Sequence, residues 1–102
     1  MNPPEKFSRI VNGKKYAVET ATLIADDEYW DGHNHERSGR NTFLYRTPNG
    51  AYFTVNMTMW QGERDTLIPV DQEEAIEMYE NSLPEHAVPY EKAFPGVKVE
   101  DA

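Results

Sequence analysis

Two β-rich runs joined by Pro48-Asn49-Gly50 constrain this chain more than any other feature. On one side stands Thr42-Phe43-Leu44-Tyr45-Arg46-Thr47, and on the other Ala51-Tyr52-Phe53-Thr54-Val55-Asn56-Met57-Thr58-Met59-Trp60. β-Branched and aromatic residues suit a pleated surface, and Asn49 and Gly50 tolerate the positive φ of a tight turn, so the region predicts an antiparallel hairpin. In its second strand Phe53, Val55, Met57 and Met59 alternate with Thr54, Asn56 and Thr58, which predicts one core face and one wet face.

The hairpin has neighbours on both sides. Residues 16–25, whose alanines leave a helical turn near Glu19 open, are rich in β-branched residues and predict a strand before it. Residues 65–70 predict one after it, ended or placed at an edge by Pro69, which has no N–H to give a ladder. Asp71 with Glu74 three residues on then reads as a helix start, with Glu73 adding favourable charge at the N-terminal end. Ala75, Ile76, Tyr79 and Leu83 follow helical spacing and leave Glu73, Glu77 and Glu80 outward, until Pro84 stops the helix. Residues 88–95 predict a further helical turn with Pro89 at its first position and Tyr90 and Phe94 clamped four apart. The fold class expected is α+β: an antiparallel β-meander of three to four strands packed against one C-terminal α-helix. Residues 1–14 are expected to be a mobile lead-in without fold information, 15–95 a single domain, and 96–102 a frayed tail.

With 102 residues the chain can bury roughly two-thirds of its unfolded surface, enough for one modest core. It contains no cysteine, which removes thiol chemistry, and no apolar window long enough to span a bilayer; Met1-Asn2-Pro3-Pro4-Glu5-Lys6 has no basic region followed by an apolar stretch, so no signal peptide is expected. A soluble cytoplasmic protein without membrane association is expected. The net charge of −8 is uneven, at −1 over residues 1–30, +1 over 31–64 and −8 over 65–102. Such a field repels phosphate backbones, so direct DNA or RNA binding is disfavoured.

In a meander, successive connections alternate between the two ends of the sheet, so the loops at 31–41 and 61–64 are expected to share one end. They resemble each other: Trp30-Asp31-Gly32 followed by Glu36-Arg37 parallels Trp60-Gln61-Gly62 followed by Glu63-Arg64. That end would gather Trp30, His33, His35, Glu36, Arg37, Arg40, Trp60, Glu63 and Arg64, the candidate binding residues. The same groups also read as ion pairs tying two loops together, with the indoles lying over the core. His33, His35 and Glu36 suit a metal ion or an acid–base pair, with Glu63 or His86 as further ligands, although no spacing is diagnostic. No nucleophile elbow, P-loop or dinucleotide glycine pattern is present, and no cofactor is expected. Glu73, Glu77, Glu80, Glu85 and Glu91 read either as a solvated face or as a mimic of spaced phosphates that would inhibit a nucleic-acid enzyme. The leading expectation is a non-enzymatic binding or regulatory domain acting on a protein partner; oligomeric state is left open.

Lys15-Tyr16, Glu19-Thr20-Ala21, Leu44-Tyr45-Arg46-Thr47-Pro48-Asn49-Gly50, Tyr52-Phe53, Trp60-x-Gly62, Ile68-Pro69, Glu73-Glu74-Ala75 and Tyr90-Glu91-x-x-Phe94 resemble a family of small uncharacterised prokaryotic proteins over most of the chain from residue 14. The resemblance implies no activity, substrate or catalytic residue. Three strands followed by a helix are also similar in architecture to the DNA-binding domains of integrases. With only Arg46 on the two central strands, that likeness is one of fold.

Overall fold

The computed structural model describes residues 3–27, 40–58 and 62–102, with Arg40 by its backbone alone. Among them, a five-stranded antiparallel sheet lies between an N-terminal hairpin on one face and the C-terminal helical segments on the other. The α+β class and antiparallel sheet expected from the sequence are present. The sheet has five strands, where three to four were expected, and its helix is short.

The hairpin pairs β1 (Ser8–Val11) with β2 (Lys14–Ala17) through Asn12-Gly13, both at positive φ (53° and 75°). Two successive left-handed residues match the right-handed twist of a two-residue hairpin loop, so the stretch expected to carry no fold information forms an element. The predicted strand over 16–25 is accordingly broken, at the helical turn that its alanines left open near Glu19. Residues Val18–Thr20 make a 3₁₀ turn, and β3 (Thr22–Asp26) starts the large sheet after it.

From there β4 (Arg40–Arg46), β5 (Tyr52–Thr58) and β6 (Thr66–Val70) follow as a meander, each paired with its predecessor. In the β4–β5 turn Gly50 alone takes positive φ, at 86°, and Asn49 does not. Thr47 anchors that turn: its N–H donates to Ala51 O at 2.8 Å, and its Oγ1 accepts from Ala51 N–H at 3.0 Å. In β3 the register slips between Leu23 and Ala25, so Ile24 is an extra residue. This bulge turns both Ile24 and Ala25 toward the helices and returns Asp26 to the hairpin face.

Both faces of β5 are buried from Tyr52 to Val55, which corrects the expectation of one wet face there; Asn56 and Thr58 stay half-exposed. Phe53 and Val55 are fully buried with Phe43, Tyr45 and Leu67 under the hairpin, where Tyr45 stacks on Phe53 at 5.2 Å. Tyr52 and Thr54, on the opposite face, are also buried. The helices cover this second face, and they meet Tyr52, Leu44 and Ile24 instead of Phe53 and Val55.

α1 (Gln72–Glu77) begins as its sequence dictates: Asp71 accepts from Glu74 N–H at 2.8 Å. Ala75, Tyr79 and Leu83 are buried, and Glu73, Glu77 and Glu80 are exposed. The last turn, Met78–Ser82, widens to π geometry, with Leu83 N–H reaching Met78 O at 2.8 Å. In that pattern Tyr79 O would accept from residue 84, but Pro84 has no N–H. His86 replaces it: Nε2 lies 2.7 Å from Tyr79 O, and since a carbonyl only accepts, Nε2 carries the proton. The imidazole also stacks on the Tyr79 ring, with centroids 3.7 Å apart. His86→Ala is therefore expected to cost about 1 kcal/mol in urea denaturation, the net value of a hydrogen bond; an unchanged midpoint would show that water serves Tyr79 O equally well.

His86 belongs to the strand the sequence reading did not foresee, β7 (Glu85–His86), which pairs with β3. The chain then forms α2 (Tyr90–Ala93), with Pro89 as its N-cap one position earlier than expected. Both sheet edges are poor templates for another strand. β7 has only two residues. On β6, Leu67 O accepts from Arg9 Nη1 at 2.8 Å, so Leu67 points its backbone away from β5. Pro69, two residues on, faces the same way and offers no N–H.

Candidate functional site

The pairing register fixes which connections share an end of the sheet. Arg40 faces Thr58 across β4 and β5, and Asn56 faces Thr66 across β5 and β6. The β3–β4 and β5–β6 connections therefore lie at one end, as the meander argument requires, and the Thr47–Ala51 turn at the other. Of the nine candidate residues, Trp30, His33, His35, Glu36, Arg37 and Trp60 lie outside the described residues, as does the Arg40 side chain. Glu63 and Arg64 are described, and both are exposed at this end.

They line a concavity of about 420 Å³ whose floor is formed by β4 and β5. Thr42 and Asn56 sit opposite each other in the register, and Thr42 Oγ1 donates to Asn56 Oδ1 at 2.9 Å. Thr58 organises the wall: its hydroxyl donates to Glu63 Oε1 at 2.5 Å and its N–H to Asp65 Oδ1 at 2.9 Å. Gly62, at φ 88°, permits the reversal that brings Glu63 and Asp65 back onto Thr58.

Asp27, just after β3, holds Asn41 and Thr42 of the lining. Its Oδ1 accepts from Thr42 N–H at 2.7 Å and, with its carbonyl, from Asn41 Nδ2 at 3.4 Å. Asn41 is 2% exposed, and its Oδ1 has no hydrogen-bond partner among the described residues. A buried acceptor without a donor is costly, so it marks where a donor group would be welcomed.

The floor residues Thr42, Asn56 and Thr58 were not singled out from sequence as a site. The signal was present: counting four pairs back from Arg46 opposite Tyr52 places Thr42 opposite Asn56. Chemically the concavity offers hydroxyls, amides, one carboxylate and one guanidinium, a set suited to hydrogen-bonded recognition of a polar surface. Among the described residues no group of three or more His, Asp or Glu side chains could hold a metal ion, and the His33, His35 and Glu36 reading lies outside them. Nor is any helix among them long and apolar enough to cross a membrane. No family model matches the chain, and neither does any curated protein or solved structure.

Proposed function

We propose that this chain is a small, non-enzymatic binding domain of the cytoplasm that engages a protein partner through the end of the sheet that carries the β3–β4 and β5–β6 connections. The observation that carries this reading is the polar concavity itself. Thr42, Asn56 and Thr58 form a half-buried floor, and Glu63 and Arg64 place opposite charges side by side at its rim. Protein recognition sites combine such satisfied polar groups with Arg at the contact, and complementary charge sets register and encounter rate.

Affinity capture with the wild-type chain, Arg64→Glu and Lys98→Glu would test it. Arg64 and Lys98 are both exposed, so both variants are expected to fold. Arg64→Glu is expected to weaken retention of the captured protein by about tenfold or more, on the scale of a desolvated charge pair, while Lys98→Glu leaves it unchanged. Equal retention by all three chains would remove this end of the sheet as the contact.

A further inference from the structure

We propose a second site, at the opposite end of the sheet, that binds a small organic phosphate. A concavity of about 560 Å³ lies between the N-terminal hairpin and the β4–β5 turn, within the range of roughly 300–1,000 Å³ typical of small-molecule sites. Lys14, Lys15, Tyr16 and Thr20 form one wall, and Thr47, Pro48, Asn49 and Ala51 the other.

The lining contains two ammonium groups and no carboxylate, in a chain with 18 Asp and Glu residues and a net charge of −8. The lysines, Tyr16, Thr47 and Asn49 can donate, as phosphate oxygens require, whereas the Thr20 hydroxyl already donates to Ala17 O at 3.4 Å. Thr47 Oγ1 already accepts from Ala51 N–H, so its hydroxyl hydrogen is the part it can offer to a ligand. Glu19 is not part of the lining and its Oε1 accepts from Phe7 N–H at 3.0 Å; its carboxylate also feels the Lys15 ammonium, which leaves Lys14 as the cation of the lining less offset by it.

The walls are held in place before any ligand arrives. Tyr16 is half-buried, fixed edge-on against Phe53 at 5.9 Å and 71°. The facing turn is braced by Thr47 N–H to Ala51 O and by Gly50 N–H to Thr47 O at 2.9 Å. Preorganised walls lower the ordering cost of binding. Tyr16 and Pro48 add apolar surface suited to a ring, and the volume exceeds what a bare phosphate would fill, so an organic phosphate fits better than the inorganic ion.

Adenosine monophosphate is a suitable probe, with adenosine and inorganic phosphate as its two halves, followed by amide NMR of the full chain. Saturable shifts are expected at residues 14–16, 20, 47 and 49–51, with Kd of about 1 mM or tighter. The double variant Lys14→Gln, Lys15→Gln, both positions being exposed, is expected to bind roughly tenfold or more weakly with the rest of its spectrum intact, and adenosine to bind as weakly as that variant does. Shifts elsewhere, no saturation, equal binding by the double variant, or inorganic phosphate binding as tightly as the nucleotide would each overturn the assignment.

Discussion

Phe94→Ala is expected to destabilise the protein by about 3–5 kcal/mol, a loss comparable with the whole stability of many small domains. Phe94 is fully buried, and its ring meets Tyr52 at 5.3 Å, Tyr79 at 5.4 Å and Tyr90 at 5.2 Å. It holds in place a helix of only four residues, which has no stability of its own. Two tyrosine hydroxyls depend on the same docking: Tyr52 donates to Ala93 O at 2.9 Å and Tyr79 to Val88 O at 2.7 Å. Truncation therefore opens a cavity and also loosens the acceptors of two buried phenols. Phe94→Leu keeps most of the apolar volume and is expected to lose about half as much or less. Denaturant midpoints and amide exchange at residues 90–94 measure both; equal losses in the two variants would show that something other than ring volume holds this segment.

Tyr45→Phe is expected to act in the opposite direction. The Tyr45 ring is buried beneath the hairpin, and its hydroxyl has no hydrogen-bond partner among the described residues. Removing an unpartnered buried hydroxyl while keeping the ring relieves a desolvation penalty, so a gain of about 1 kcal/mol at neutral pH is expected. Burial, with a smaller contribution from the Asp26 carboxylate, pushes the phenol up to about 12 from its usual 10. The folded state thus holds this proton more tightly than the unfolded chain does. Its contribution is complete below pH 10 and disappears as pH rises from 10 to 12, a loss of roughly 2–3 kcal/mol. Tyr79 and Tyr90 are raised too, chiefly by desolvation, so the alkaline loss in Tyr45→Phe should shrink without vanishing. Stability measured between pH 7 and 12 tests both parts; a destabilised variant at pH 7 would mean that the hydroxyl is satisfied after all.

The candidate site was legible in part. That two connections share an end follows from alternation in a meander, which needs only the order of strands. That Thr42, Asn56 and Thr58 form a polar floor depends on where coverage stops. Thr54 lies on the same face as Asn56 and Thr58, yet it is buried while they are half-exposed. No period within β5 distinguishes the three, because the difference comes from segments more than a dozen residues away.

The Asn12-Gly13 hairpin is a different case, since its turn chemistry is local and explicit. The sequence shows the turn, but residues 1–14 have too little periodicity to announce the strands on either side of it. Its strands dock through Tyr16 and the Arg9 bond to Leu67, contacts invisible from the turn itself.

By itself the sequence determined those features whose causes lie within a few residues: the β4–β5 hairpin, the Asp71 cap, the stop at Pro84 and the pairing of Tyr90 with Phe94. Tertiary structure alone decided that both faces of β5 are covered from Tyr52 to Val55, which face the helices take, that the Ile24 bulge turns two consecutive side chains toward them, and that His86 serves a carbonyl stranded by Pro84. Turn chemistry and helix capping are satisfied by neighbouring atoms, whereas the covering of a sheet face and the rescue of a lone backbone group require partners that only the folded chain brings within reach.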